Sequence, residues 1–541
     1  MDAQEPRSKS GSAVREWAPL LAVVAGFLLF SAGTIDDYGI TWDEGVKIYA
    51  DESYVEIIRR IDPFDPRVLH LPGYFYLFDA GRSLYAKAVH DLLPGSHPVL
   101  VHHSLNIVLS TACLWLLYGL VLRITGRRRL ATFSVLALLL MPQFVGHSQN
   151  NPKDLPAMLV FLATVVAVVA ASARARRPLA VLAALLLGVA FTTRILSPLL
   201  VPILGSWMLL YRRAWLQRFW RGYALGLAGA LVAAVAFWPA LWFRGGELIR
   251  IAAERLAVLQ RLDVDVLYLG TLHRWTDLPW HFTVVQLLIT LPLAHIVLLA
   301  LSPFAARAWR HREPERCDLL WLAFVWLVFL LFADLFSPLH YDGIRHVLPV
   351  LPAIAVLVAG AADWLVQRLE ALPRQWHTLR WAPAALVLWL FFEIASVHPY
   401  QTAYLNPVAV RLGAPRGEEW VELEYWGSPY KAGAEWLNLN AEEDAVVYLP
   451  LGGGQRSGED VARHYLRRPL ERRGSLDRFR DRSAPQYLMF ITRMSWYDDT
   501  IRGVRAEYDP VYTIERQRST LLEIYSNRAI RAEGAQKAAR E

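Results

Sequence analysis

Eleven apolar stretches, near residues 17–34, 99–122, 131–147, 156–173, 178–194, 197–211, 222–243, 283–304, 319–336, 347–366 and 382–397, limit this chain more than any other feature. A helix needs about 20 apolar residues to cross the hydrocarbon core of a bilayer, where every backbone polar group must be paired. Runs of this length predict a polytopic helical membrane protein. Only 19% of the 541 residues are charged, below the roughly 25% of soluble domains. The formal charge of +7 does not imply a nucleic-acid partner, because the Arg residues recur in short clusters between the apolar runs. Arg127-Arg128-Arg129, Arg174 to Arg177, Arg212-Arg213 with Arg218 and Arg221, Arg307 to Arg316, and Arg368 to Arg380 share one side with Arg7, Lys9 and Arg15. The positive-inside rule makes that side cytoplasmic. The first stretch lacks a small-residue cleavage pattern, which predicts a retained helix and not a removed signal peptide. Arg194 and Pro198 interrupt the pair at 178–211. One broken helix there would turn every later basic loop outward, against the charge bias.

The outer face then carries loops at about 35–98, 147–155, 244–282 and 337–346, and a region from 398 onward. The first loop predicts an amphipathic helix from Val46 to Ile58 and an aromatic patch from Leu71 to Tyr76, both of the kind that lies along a membrane interface. Residues 398–525 are of single-domain size. They hold strand-like runs at Ala445 to Leu451, Tyr487 to Thr492 and Thr520 to Tyr525, and a helix-like run from Tyr430 to Leu437. The expected fold is an α-helical polytopic membrane bundle of about 11 transmembrane helices over residues 1–397, with a small extracytoplasmic α/β C-terminal domain. Residues 526–541 read as a flexible tail. Two cysteines, Cys113 in an apolar run and Cys317 in a basic loop, offer no disulfide framework. Gly452-Gly453-Gly454 lacks the Lys-Ser/Thr of a phosphate loop.

Two acidic motifs stand at outer ends of apolar stretches, Thr41-Trp42-Asp43-Glu44 and Asn151-Pro152-Lys153-Asp154. Carboxylates near a bilayer are costly and mark function by default. Asp43, Glu44 or Asp154 fits a general base, which must accept a proton from an attacking hydroxyl or amine. Each acid also fits a helix N-cap: Asp43-Glu44 for a helix starting near Gly45, Asp154 for the stretch entered by Leu155-Pro156. Arg345 and His346 stand at the mouth of the tenth stretch, where a guanidinium pairs well with phosphate through two charge-assisted hydrogen bonds or snorkels to the interface. Arg194 sits at an outer end where positive charge is disfavoured, so it needs an anionic partner: Asp43, Asp154 or a phosphate. Lys153, Lys47, Arg244 and Arg274 are further candidates for that task. A divalent metal could be held by Asp43 and Asp154, by His147 with Asp154 or by His102-His103, but none of these spacings is a strong metal signature.

Taken together, these motifs resemble the membrane-embedded GT-C glycosyltransferases, in the bacterial lipid-carrier-dependent branch related to protein O-mannosyltransferases and the aminoarabinose transferase of lipid A. The resemblance spans about residues 30 to 440. It rests on the Asp43-Glu44 pair, the Asn151 to Asp154 loop, Arg345-His346-Val347-Leu348-Pro349, the stretch His398 to Pro407, and Glu424-Tyr425-Trp426-Gly427. It implies an enzyme of a bacterial cytoplasmic membrane with an outward-facing cavity for a polyprenyl-phosphate-linked sugar. It implies catalytic base for Asp43, acceptor orientation or metal contact for Asp154, and donor-phosphate binding for Arg345, His346 and Arg194. Neither an oligosaccharyltransferase sequon-scanning signature nor the tripartite repeat domain of eukaryotic O-mannosyltransferases is found, so the extracytoplasmic acceptor stays open among glycan, lipid and protein. A transporter or lipid flippase would also need many spans and intramembrane charges. It would be expected to show two related halves and charges near mid-membrane.

Overall fold

The computed structural model describes residues 9–45, 47–48, 76–174, 177–194, 196–211, 213–236, 246–247, 250, 265–335, 341–413, 416–450, 457–467, 470–471 and 476–530. The expected amphipathic helix from Val46 to Ile58 and the aromatic patch from Leu71 to Tyr76 lie almost wholly outside these residues. So do Arg244, the glycine run at 452–454 and the end of the tail.

Each of the eleven apolar stretches contains helix among its described residues. Among the described residues, Glu16–Thr34, Pro98–Thr125, Asp154–Ala173, Pro314–Asp334, Val350–Glu370 and Thr378–Ser396 are long and apolar enough to cross a membrane, and Pro178–Phe191, Ser197–Tyr211 and Ala224–Ala236 are shorter apolar helices. The remaining two stretches are not straight. Arg128–Leu139 and Pro142–Asn150 meet at 70°, and Phe282–Thr290 and Leu293–Trp309 meet at 115°. Both breaks have one cause. A residue before proline is pushed out of the helical region, and Met141 before Pro142 and Leu291 before Pro292 are both extended. The first bend matters for function. It swings the fully buried helix Pro142–Asn150 into the bundle, so the expected outer loop at 147–155 shrinks to a turn around Asn151 to Lys153. Gly146 permits this, since a Cβ there would stand 2.9 Å from the Thr402 backbone nitrogen.

One apolar core joins the helices Lys9–Thr34, Pro98–Thr125, Asp154–Arg174, Pro314–Asp334 and Val350–Glu370. At one end of this bundle the basic loops are tied to acids. Arg129 reaches Asp363 at 2.5 Å and Glu370 at 2.8 Å, Arg316 reaches Asp363 at 2.7 Å, and Arg127 reaches Glu313 at 3.0 Å.

The second core lies in the C-terminal region. Five strands stand in the order β4-β3-β5-β7-β6, formed by β3 (Val446–Tyr448), β4 (Leu470–Glu471), β5 (Gln486–Ile491), β6 (Tyr508–Arg516) and β7 (Ser519–Ile530). β3 is parallel to β4 and β5, while β7 is antiparallel to β5 and β6. All six residues of β5 are buried, as expected of a central strand covered on both faces. The helix Tyr430–Asn440 covers one face, closing so tightly that a Cβ on Gly433 would meet Met489. β7 runs five residues past the expected domain end at 525, and β4 and β6 were not expected. A hairpin of β1 (Asp265–Tyr268) and β2 (Thr271–Arg274) turns through Leu269 and Gly270, both left-handed, and joins Val421 through Tyr268. Ile40 and Trp42 belong to this second core as well.

Candidate active site

The helix Lys9–Thr34 delivers the first acidic motif beside the C-terminal region. Thr41 and Glu44 close a reciprocal cap. The Thr41 N–H donates to Glu44 Oε2 at 3.1 Å and the Glu44 N–H donates to Thr41 Oγ1 at 3.3 Å, the Thr-x-x-Glu arrangement that starts a helix. Glu44 is fully buried, 3.4 Å from His103 Nε2, and accepts from Asn106 Nδ2 at 3.4 Å. The capping role expected of the acids thus falls to Thr41 and Glu44, and Asp43 is left for other partners. Trp42 fixes the turn, its indole N–H donating to the Tyr425 carbonyl at 2.5 Å and its backbone N–H to the Trp426 carbonyl at 3.1 Å.

A parallel division of labour occurs in the second motif. Asn151 Oδ1 accepts from the backbone N–H groups of Lys153 and Asp154 at 3.0 and 2.8 Å, so Asn151 caps the helix Asp154–Arg174. The Asp154 carboxylate is then free of capping duty. It accepts from Asn151 Nδ2 at 3.1 Å and pairs with Arg194. The third segment is the turn Tyr341 to His346. Asp342 and Gly343 are both left-handed, with φ of 57° and 63°, a conformation open to glycine and tolerated by Asp. This turn folds Arg345 back so that its Nη2 donates to Asp342 Oδ2 at 2.7 Å.

These segments meet around Arg345. Its Nη1 donates to Asp43 Oδ2 at 3.1 Å and stands 3.9 Å from Asp154 Oδ2. Lys153 Nζ donates to the other Asp43 oxygen at 2.6 Å. The guanidinium also lies over the rings of Tyr341 and Trp426, 5.3 and 5.5 Å from their centroids, a placement that adds cation–π attraction. Three carboxylates (Asp43, Asp154, Asp342) therefore face three cations (Lys153, Arg194, Arg345) in a mostly desolvated cluster. Burial alone would raise the Asp43 carboxyl pKa, but Lys153 and then Arg345 outweigh it and hold that carboxyl well below the usual carboxylate range. Cations occupy both acids proposed for a metal. His147 is engaged by Asn151 at 2.9 Å, and His103 by Glu44. Among the described residues no group of three or more His, Cys, Asp or Glu side chains is arranged to hold a metal ion, and this donor set, with a cation on each carboxylate, does not fit one.

The sequence therefore named five residues that converge: Asp43, Lys153, Asp154, Arg194 and Arg345. It also named residues whose side chains are turned to other partners or lie away from the cluster. Glu44 is turned into its cap, and the His346 ring meets Tyr341 edge-on at 4.8 Å. Lys47 binds Asp79 beside Arg82, and burial pushes its amine down to about 8 against the pull of Asp79. Arg274 is exposed on β2. Asp342, Tyr341 and Arg493 were missed altogether, and Trp426 was noted only within the Glu424 to Gly427 motif and not as a site residue. Asp342-Gly343 could have been read as a turn, but nothing local in the sequence ties Arg493 to Asp342, its ion-pair partner at 2.9 Å.

Residues 97–242 match a family model described as dolichyl-phosphate-mannose-protein mannosyltransferase. That segment contains Lys153, Asp154 and Arg194, but not Asp43 or Arg345. Similar solved structures include ArnT from Cupriavidus metallidurans in the apo state, at 15% identity and a TM-score of 0.48, covering 95% of this chain and 98% of that one. Another is the oligosaccharyltransferase AglB from Archaeoglobus fulgidus with an inhibitory peptide and a dolichol-phosphate, at 13% identity and a TM-score of 0.43, covering 83% and 66%. No curated protein matches the chain.

Proposed function

We propose that this chain, whose residues 97–242 match the mannosyltransferase family model, is a GT-C membrane glycosyltransferase that transfers a monosaccharide from a polyprenyl-phosphate-linked donor to an extracytoplasmic acceptor. The observation that carries the reading is the shared guanidinium of Arg345, which stands between Asp43 and Asp154 with Lys153 and Arg194 beside it. In such a transfer, the acceptor oxygen forms a bond to the anomeric carbon. The bond from that carbon to the phosphate oxygen breaks, its electron pair passes to the phosphate, and the acceptor proton passes to a base. A phosphodiester with one negative charge becomes a monophosphate with two. Arg345, Arg194 and Lys153 are suited to stabilise the added charge, since fixed cations in a water-poor site act with little reorganisation. Asp43 is the proposed base and Asp154 the residue that orients Arg194 and Arg345. One displacement on the face opposite the phosphate gives inversion. The side bias of the basic loops supports a site and a C-terminal region on the outer side, and the family resemblance supports a bacterial cytoplasmic membrane.

The donor also completes the base. Without it, Asp43 is neutralised by Lys153 and Arg345 and is a weak proton acceptor. A phosphate that takes those cations competes with Asp43 for them, so its basicity rises only once the donor is in place. The Asp43→Asn variant tests both points. Turnover of a polyprenyl-phosphate sugar in liposomes should fall by about 10²–10⁴, the usual contribution of a general base. Binding of undecaprenyl phosphate should be equal or tighter, because the competitor carboxylate is gone. Near wild-type turnover would remove Asp43 from the role.

A further inference from the structure

We infer that Arg493, contributed by the C-terminal sheet, is a positioning residue that sets Arg345 through Asp342. This rests on the reading that Arg345 binds the donor phosphate. Arg493 stands two residues past the end of β5 and is 2% exposed. Its root is held by the sheet, with the Thr492 N–H donating to the Leu521 carbonyl at 3.1 Å and its own N–H to Ile491 at 2.8 Å. Its guanidinium lies 3.8 Å from the Trp496 ring centroid, and Nη1 donates to the Tyr425 carbonyl at 3.2 Å. Nη2 reaches Asp342 Oδ1 at 2.9 Å and Glu422 Oε2 at 3.5 Å.

Asp342 links the two guanidinium groups. One of its oxygens forms an ion pair with Arg493 and the other accepts a hydrogen bond from Arg345, from a left-handed backbone position. A carboxylate held on both sides cannot swing toward Arg345 and bind it fully. If Arg493 were absent, Asp342 would be left to Arg345 alone in a buried setting. The guanidinium would be drawn from Asp43 and from the place of the phosphate. A cation, a carboxylate, a cation and the proposed base thus run in line from the sheet to the bundle. Displacements near 1 Å at a reacting centre cost on the order of 10²-fold in rate.

A double-mutant cycle separates positioning from plain support. Purified full-length protein in detergent is titrated with undecaprenyl phosphate for wild type, Arg345→Gln, Arg493→Gln and the double variant. Arg345→Gln should weaken binding by on the order of tenfold or more, within the range for a charged hydrogen bond. Arg493→Gln should weaken it too, and the double variant should be no weaker than Arg345→Gln alone. Contacting residues couple in this way, whereas independent ones add. Arg493→Lys keeps the buried charge, so it guards against failure to fold; it should give an intermediate loss with the same coupling. Additive losses, or unchanged binding in both Arg493 variants, would overturn the inference. Unchanged binding in Arg345→Gln would instead overturn the phosphate-binding reading on which it rests.

Discussion

At the scale of single residues, the central relation is the competition of Asp43 with an incoming anion for Lys153 and Arg345. It makes a pH prediction whose sign is fixed. Lys153 does most to hold the Asp43 carboxyl down. Removing a neighbouring cation favours the protonated acid, so the carboxyl pKa rises in Lys153→Met. The base then begins to be lost at a higher pH than in the wild type, and the acid limb of kcat/KM, which reports the free enzyme, should move upward. A limb that stays in place would mean that Lys153 does not govern the base. The sequence revealed the two acids but not which neighbour caps each helix. Thr41-x-x-Glu44 and Asn151 are both standard caps, and only the folded geometry shows that they, and not Asp43 and Asp154, take that work.

At the scale of elements, apolar length was enough to locate all eleven helical stretches, because lipid demands uninterrupted hydrogen-bonded helix. It could not tell a straight span from a bent one. The signal was present as Met141-Pro142 and Leu291-Pro292, but proline is also tolerated inside membrane helices, and only tertiary packing decides which prolines break. The bend at Pro142 is what lowers Asn150 to Asp154 into the site. The opposing wall depends on Gly39, where a Cβ would fall 2.0 Å from the Ser428 carbonyl oxygen. Backbone cannot yield as a side chain end would, so Gly39→Ala should part the segment after the first helix from Ser428 and the aromatic turn next to it. Gly26 has nothing within 4 Å of a Cβ and serves as the control. Gly39→Ala should lower both the unfolding temperature and transfer, and Gly26→Ala neither. Indistinguishable behaviour of the two variants would show that this contact is not tight in the working protein.

At the scale of the whole molecule, the sequence read the C-terminal region as a separate module. Its central strand and main helix were legible from a six-residue apolar run and from helical spacing. Its part in the candidate site was not, because Trp426 meets Arg345, and Arg493 meets Asp342, only through long-range packing. The two parts share a core, since Ile40 and Trp42, which follow the first helix, pack with Tyr425, Trp426 and Tyr430. Membrane bundle and sheet therefore build one cluster of charges between them, and the claim that matters most is that this cluster receives a lipid phosphate carrying a sugar. Mass spectrometry of lipids that co-purify with the wild type and with Arg345→Ala, both taken from their native membrane, tests it most directly. The expected result is a polyprenyl-phosphate monosaccharide enriched on the wild type and depleted on the variant. Equal recovery on both, or no polyprenyl phosphate on either, would contradict the account.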